Sequence, residues 1–132
     1  MPDRRIYDTR FFAEYFYSSD QQLVRKLKEE LRSVNERMVS SLTIHEIHRV
    51  VLNKEGKEVA TLRSSTIRRD FQVIDVDYTI AVKSAELRSK HQMPMADSVI
   101  ATTAQIQGCP LFSDDAHFKS VENLKVIWCK IH

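Results

Sequence analysis

Cysteine, glycine and proline are scarce in this sequence, whose 132 residues include two cysteines, two glycines and three prolines. Two thiols, Cys109 and Cys129, cannot build a disulfide framework or supply the four ligands of a typical structural zinc site. We therefore expect both to be buried free thiols. Because the glycines and prolines are few and scattered, a flexible linker is excluded. The chain is predicted to form a single domain over residues 1–132.

Long hydrophobic runs are absent as well. No apolar run approaches the roughly 20 residues that a membrane-spanning helix needs. The opening sequence, MPDRRIYDTR, lacks the apolar stretch of a secretory signal. Hydrophobic residues make up 42% of the chain and charged residues 29%, which are proportions of a globular domain. We expect a soluble protein in the cytoplasm that makes no contact with membranes.

Short strand-like runs alternate along the chain with longer segments of helical periodicity. The predicted strands are residues 4–7, 38–41, 71–76, 110–112 and 125–128. The predicted helices follow residues 8, 19–20, 42, 57, 77 and 95. Such alternation implies right-handed crossovers and therefore an α/β fold, with three α/β/α layers and a mainly parallel central sheet. Ligands of such sheets bind outside the carboxyl ends of the strands.

Acidic residues stand where this fold would bring them to one edge. Asp8 and Asp115 follow predicted strands, Glu46 lies in the helix after the second strand, and Asp97 opens a late helix. Each has an ordinary explanation when taken alone. Asp8 could cap a helix, Glu46 could complete a capping box with Thr43, and Asp97 suits the first turn of a helix. Asp8, Glu46 and Asp115 each come just after a predicted strand, so the fold brings them from distant parts of the chain to one edge, which points to a shared site.

Four converging carboxylates require a counter-charge. Two carboxylates about 4 Å apart repel each other by around 4 kcal/mol at an effective dielectric of about 20, which favours a bound cation or strongly raised pKa values. Oxygen ligands select Mg²⁺ or Mn²⁺ over zinc, and these cations bridge protein carboxylates to substrate phosphates. The chemistry predicted for this edge is phosphodiester hydrolysis with one metal or two.

The charge balance agrees with a polyanionic substrate. The formal net charge is only +2, from 20 basic and 18 acidic residues. When the four candidate metal ligands are set aside, 14 acidic residues remain against the same 20 basic ones. A basic surface around a local acidic pocket suits a nucleic acid that is reached through a metal.

The segments around these acids resemble the motifs of the PIN domain. That family places an Asp after the first strand, a Glu in the helix after the second, an Asp opening a late helix and an Asp after the fourth strand. The corresponding segments, in the same order, are YDTRFF at Asp8, SSLTIHEI at Glu46, MADSVIATTA at Asp97 and LFSDDAHF at Asp115. The resemblance covers nearly the whole chain.

The resemblance implies a function and partners. PIN nucleases cut single-stranded or structured RNA endonucleolytically with Mg²⁺ or Mn²⁺, and Asp8, Glu46, Asp97 and Asp115 would be the catalytic metal ligands. Small members are commonly VapC-type toxins, which are homodimers neutralised by a small protein antitoxin. A PIN-fold nuclease that processes RNA without being a toxin is the nearest alternative.

Other residues near the motifs could support the metal ligands or contact the substrate. The family often has Thr where Ser113 stands, and either Asp114 or Asp115 could take the fourth acidic position. Spacing favours Asp115, which leaves Ser113, Asp114 and Thr9 as supporting groups behind the metal ligands. Arg10 could contact a substrate phosphate or only neutralise the acidic pocket, and His117 could contact substrate or be a surface histidine. His45 and His48 are three residues apart, which does not match the four-residue spacing of a zinc-protease helix.

Aromatic residues crowd the first predicted helix. They occupy more than one face of it: Phe11, Phe12, Tyr15, Phe16 and Tyr17. Since a surface helix usually buries one stripe, we predict that part of this set, including Phe12 and Phe16, contacts a second subunit or an antitoxin helix.

Two other classes of protein share parts of this pattern. A receiver-like signalling domain is also doubly wound with acids at the carboxyl edge, but it needs paired acids after the first strand, where only Asp8 stands. A catalytically silent RNA-binding or scaffold module would keep the fold without the chemistry, although the presence of all four acids counts against it.

Overall fold

The computed structural model describes residues 3–129, which form alternating strands and helices. In chain order the elements are β1 Arg4–Tyr7, α1 Thr9–Tyr17, α2 Gln21–Ser33, β2 Glu36–Ser40, α3 Ser41–Glu55, α4 Lys57–Asp70, β3 Gln72–Ile74, α5 Tyr78–His91, α6 Met95–Gln107, β4 Leu111–Phe112, a 3₁₀ helix Ala116–Phe118 and β5 Val126–Ile127. Each predicted strand and helix is present, with ends shifted by a few residues. None of the helices in this part of the chain has the length and hydropathy to cross a membrane.

The five strands form one parallel sheet in the order β3-β2-β1-β4-β5. The first strand is therefore central, with β2 and β4 on its two sides. Strand β2 begins at Glu36, two residues before the predicted start, and pairs Glu36 with Arg4 of β1. The Arg4 guanidinium lies 2.6 Å from the Glu36 carboxylate, so a cross-strand ion pair joins the beginnings of the two strands.

Two hydrophobic clusters cover the two faces of the sheet. Residues of α1 to α4 form the first cluster, and residues of α6 dominate the second. The strands alternate between them: Ile6, Met38 and Leu111 face the α6 cluster, and Tyr7, Val39 and Phe112 face the other. Because successive strand residues point to opposite faces, both layers of helices pack on continuous apolar surface. The predicted three-layer α/β/α architecture is confirmed.

Helix ends follow the capping chemistry of the sequence. Asp20 and Asp77 accept hydrogen bonds from the first backbone N–H groups of α2 and α5. Gly108 adopts the left-handed conformation (φ 64°) that ends α6, as predicted. Helix α3 begins two residues before the predicted Thr43, because Ser40 caps it through a 3.2 Å hydrogen bond from Leu42 N–H. Both cysteines are free; Cys109 is buried and Cys129 is partly buried.

The aromatic set on α1 is used within the chain. Phe12 is only 1% exposed and belongs to the core, so the prediction that it mediates association is wrong. The Arg63 guanidinium covers Phe16 at 4.5 Å from the ring centroid, and the Lys54 ammonium lies 5.2 Å from that of Tyr17. The second face of α1 is thus covered by cations from α3 and α4, an intramolecular contact that helical periodicity could not reveal.

Phe12→Ala is expected to lower the free energy of unfolding by about 3 kcal/mol or more, because it deletes a fully buried ring. Leu62→Ala is the control, since Leu62 is 66% exposed on α4 and should change stability little. Denaturant unfolding of both variants measures the difference. Equal unfolding midpoints for the two would contradict the placement of Phe12 in the core.

Candidate metal centre

The four candidate acids approach the carboxyl edge of the sheet from different elements. Asp8 follows β1 and caps α1, Asp115 follows β4, Glu46 lies in the second turn of α3, and Asp97 lies in the first turn of α6. Strands β1 and β4 are neighbours, so their carboxyl ends bring Asp8 and Asp115 to the same place. The parallel topology thus gathers residues that are far apart in sequence.

Asp8 is the most buried of these acids, with 3% of its surface exposed. Its Oδ1 accepts a hydrogen bond from Phe11 N–H at 3.1 Å, which caps α1. Its Oδ2 accepts one from the Ser113 hydroxyl at 2.6 Å. Ser113 Oγ also accepts from Asp115 N–H at 3.0 Å. One buried hydroxyl therefore joins the segments that carry Asp8 and Asp115, which fits the supporting role predicted for Ser113.

Burial raises the pKa of Asp8 from 3.8 to about 7. The hydrogen bonds from Ser113 and Phe11 act in the opposite direction, because they stabilise the carboxylate. The negative charges of Asp114 and Asp115 raise the pKa further. A carboxyl in this position ionises at a cost that a nearby cation would offset.

Asp97, Asp115 and His117 form a tight group. His117 Nδ1 lies 3.1 Å from Asp97 Oδ2 and 2.9 Å from Asp115 Oδ1. One candidate ligand atom from each of the three lies within 4.8 Å of the others, a spacing that could hold a metal ion. Asp115 Oδ1 also accepts from His117 N–H at 2.9 Å and so caps the 3₁₀ helix.

The pKa of Asp97 is raised, first by burial and then by the charge of Asp115. Glu46 raises it further, whereas His117 lowers it. Asp97 therefore experiences the field of two other candidate acids across the gap between α6, α3 and the end of β4. The close group itself consists of Asp97, Asp115 and His117, and neither Glu46 nor Asp8 is part of it.

Glu46 is oriented by a side chain from another element. The Thr9 hydroxyl of α1 donates to Glu46 Oε1 at 2.5 Å. Because Ser40 caps α3, Glu46 lies too far along the helix to complete a capping box, and that explanation of the residue is wrong. Its carboxylate instead faces α1, and Thr9 stands behind it as expected for a supporting group.

The neighbouring residues Asp114 and Asp115 bind different partners. Arg10 Nε donates to Asp114 Oδ1 at 2.6 Å in a partly exposed ion pair. Asp115 instead approaches Asp97 and His117. This division agrees with Asp115 as the fourth acid. It also shows that Arg10 neutralises Asp114, which was one of the two roles considered for it.

The position of His117 was not foreseen from sequence. A surface histidine was one of the two interpretations, and the side chain is indeed 59% exposed, yet its Nδ1 bridges two carboxylates. The available signal was its place two residues after Asp115, from which its backbone N–H and ring reach the same carboxylate. The proximity to Asp97 depends on the packing of α6 and has no local sequence signal.

The donor set fits a hard divalent cation. Carboxylate oxygens are the ligands of Mg²⁺ and Mn²⁺, and burial and mutual repulsion raise the pKa of Asp8 and Asp97 where no cation balances them. His117 adds a nitrogen donor, which Mn²⁺ accepts more readily than Mg²⁺ does.

A parallel α/β/α protein with an acidic site at the carboxyl edge of its sheet is the class that fold and site define. The model of the PIN domain matches residues 6–124, so the chain belongs to the PIN domain family. This membership sets aside the receiver-like alternative. Among curated protein sequences, none matches the chain.

Several solved structures share the fold. A toxin–antitoxin complex from Klebsiella pneumoniae matches with a TM-score of 0.73 and 21% identity, over 93% of this chain and 95% of that one. VapBC2 from Rickettsia felis, bound to a promoter DNA fragment, matches with a TM-score of 0.78 and 17% identity, over 96% of this chain and 99% of that one. VapC20 from Mycobacterium tuberculosis, described as a sarcin–ricin loop cleaving toxin, matches with a TM-score of 0.75 and 18% identity, over 88% of this chain and 93% of that one. At these identities the likeness establishes the fold.

Proposed function

We propose that the chain is a metal-dependent endoribonuclease that hydrolyses phosphodiester bonds of RNA. The observation that carries the proposal is the meeting of Asp97 and Asp115, from separate elements, around one point that could hold a cation. Asp8 joins Asp115 through Ser113, and Glu46 couples electrostatically to Asp97. A catalytically silent module would have no need to keep four mutually repelling carboxylates at one edge.

Asp8, Glu46, Asp97 and Asp115 would hold Mg²⁺ or Mn²⁺. The bound cation would activate water near neutral pH and neutralise charge on the phosphate. Ser113 and Thr9 keep the carboxylates of Asp8 and Glu46 in place by donating hydrogen bonds to them.

Arg10 and His117 are the side chains best placed to meet the substrate around the acids. Arg10 is exposed and pairs with Asp114, so a substrate phosphate would compete with that carboxylate for the guanidinium. His117 is exposed and its ring lies against Asp97 and Asp115, at the mouth of the group. Both residues would thus act at the boundary between the metal centre and the RNA.

The proposal extends to the toxin of a toxin–antitoxin pair, a homodimer inhibited by a small protein antitoxin. The small size of the chain, 132 residues, supports it, as do the fold relatives, several of which are toxin–antitoxin complexes. Two free cysteines agree with a reducing compartment such as the cytoplasm. An RNA-processing nuclease that is not a toxin is the alternative. A small DNA-binding protein encoded next to this chain would support the toxin assignment over it.

Chelation of divalent cations is expected to abolish RNA cleavage by the purified protein, and Mg²⁺ or Mn²⁺ should restore it. The reason is that the carboxylates alone cannot generate hydroxide at neutral pH. Cleavage of a labelled RNA before chelation, after it and after metal is returned measures the effect. Asp97→Asn protein purified in the same way controls for contaminating ribonuclease. Cleavage that survives exhaustive chelation would overturn the proposed mechanism.

A further inference from the structure

A cleft of about 480 Å³ opens beside the metal centre, between α3 and the beginning of α6. Its walls include Glu46 and its partner Thr9, so the cleft is continuous with the candidate site. Met95 and Ala96 form the wall on the α6 side. The α3 wall consists of residues spaced three and four apart, which is one face of a helix: Leu42, His45, Glu46, Arg49, Val50 and Asn53.

The two faces of α3 have different tasks. Thr43, Ile47 and Val51 point into the protein and are fully buried. The cleft face is polar along most of its length, and His45 and Arg49 on it are exposed. The buried face explains how α3 packs against the protein. Packing alone does not explain why the opposite face, which lines the cleft, is polar and carries Arg49.

Arg49 is the residue of the cleft whose charge suggests a ligand. It lies three residues after Glu46, about 4.5 Å further along the helix axis. Glu46 is bound by Thr9 rather than by Arg49. Within residues 3–129 the Arg49 guanidinium makes neither a hydrogen bond nor an ion pair with any other side chain. An unpaired, exposed guanidinium one turn from the acidic centre is free to bind an anion.

We propose that this cleft binds a single-stranded segment of RNA next to the scissile phosphate, with the Arg49 guanidinium on a neighbouring phosphate. The inference rests on the proposed ribonuclease function, to which it adds a binding site. Met95 is 55% exposed at the opposite wall and offers an apolar surface for a base. His45, one turn before Arg49 on the same face, provides a second donor toward the strand.

Size and charge favour a single strand of nucleic acid over other ligands. A cleft of this volume accommodates a nucleotide or two but is too small for a duplex, so the strand must be unpaired where it enters. The unpaired charge on the cleft face is positive, which disfavours a basic peptide. The α3 wall of the cleft, through Arg49, thus attracts the phosphate backbone of the RNA, whereas the metal centre would hold the phosphate that reacts.

Binding can be measured apart from catalysis. A short fluorescent single-stranded RNA is titrated with the protein in chelator, where no cleavage is expected, at several salt concentrations. Arg49→Gln should weaken binding about tenfold and reduce the slope of log affinity against log salt by about one, because one phosphate contact is lost. Arg49→Lys keeps the charge but not the two-pronged geometry of the guanidinium. Its RNA affinity should therefore lie between those of the wild type and Arg49→Gln, while its salt slope stays near that of the wild type.

Arg32→Gln is the matched control. It removes the same charge from an exposed residue in the last turn of α2, just before β2 begins, at the opposite edge of the sheet. Its affinity and salt slope should equal those of the wild type. If Arg49→Gln behaves like Arg32→Gln, or if the wild type does not bind the RNA in chelator, the inference is overturned.

Steady-state cleavage separates this inference from the proposed function. Arg49→Gln should raise KM about tenfold with little change in kcat, because Arg49 contacts the strand and not the reacting atoms. Loss of kcat with unchanged RNA affinity would overturn the inference. If the wild type binds RNA through Arg49 but does not cleave it with any metal, the ribonuclease proposal fails and the binding site stands.

Discussion

Asp97→Asn is expected to reduce RNA cleavage by orders of magnitude in a protein that stays folded. The substitution removes a carboxylate that lies beside Asp115 and His117 and whose pKa is raised by burial and neighbouring acids. It therefore deletes a proposed metal ligand. Stability in the absence of metal should hold or rise, because repulsion among the carboxylates is relieved. Cleavage rate and thermal midpoint are measured on the same preparation.

Asp77→Asn is the matched comparison, since Asp77 also stands at the start of a helix. Its Oδ1 accepts from Ile80 N–H at 2.9 Å and caps α5, after the edge strand β3. Asparagine caps a helix almost as well, so both activity and stability should stay near wild type. In contrast, α6 begins after Pro94 with no side-chain cap, so Asp97 has no such task there. Wild-type cleavage by folded Asp97→Asn protein would remove Asp97 from the centre and with it much of the ribonuclease proposal.

The architecture was predictable because its signals are local and repeated. Strand-like runs alternate with amphipathic helices, and residues such as Asp77 and Gly108 mark helix ends with their own hydrogen bonds or backbone conformation. Parallel topology then assigns Asp8 and Asp115 to one edge without any knowledge of side-chain positions. Asp8 and Asp115 could thus be grouped from the predicted topology, whereas Asp97 was added by the resemblance to the PIN domain.

Details that depend on packing could not be predicted in this way. Helical spacing predicted that Phe12 and Phe16 both contact a partner. Only the fold shows that Phe12 is in the core and that Arg63 covers Phe16. A capping box for Glu46 was plausible until Ser40 proved to be the cap of α3. The free guanidinium of Arg49 has meaning only once the cleft that it lines is known.

Asp8→Asn is expected to stabilise the metal-free protein above neutral pH while it abolishes cleavage. The pKa of Asp8 is about 7 in the folded protein, compared with 3.8 for an ordinary aspartate. Between these values the folded protein holds a proton that the unfolded chain has released, so stability falls as the pH rises from about 4 to 7 and then levels off. Above pH 7 the buried carboxylate costs about 4 kcal/mol relative to low pH, since each pKa unit corresponds to about 1.4 kcal/mol.

The experiment compares thermal midpoints of wild type and Asp8→Asn in chelator at about pH 5 and pH 8, where the difference in stability should grow with pH. Asparagine retains the cap of α1 without the charge, so at the higher pH the variant should melt about 10 °C above the wild type. Mg²⁺ or Mn²⁺ should then raise the wild-type midpoint more than that of the variant, because a cation stabilises the ionised Asp8 and asparagine offers no charge in its place. A constant difference across the pH range would show that Asp8 ionises normally in the fold. Equal metal-induced shifts in both proteins would place the cation elsewhere, away from the one acid that the fold buries most deeply.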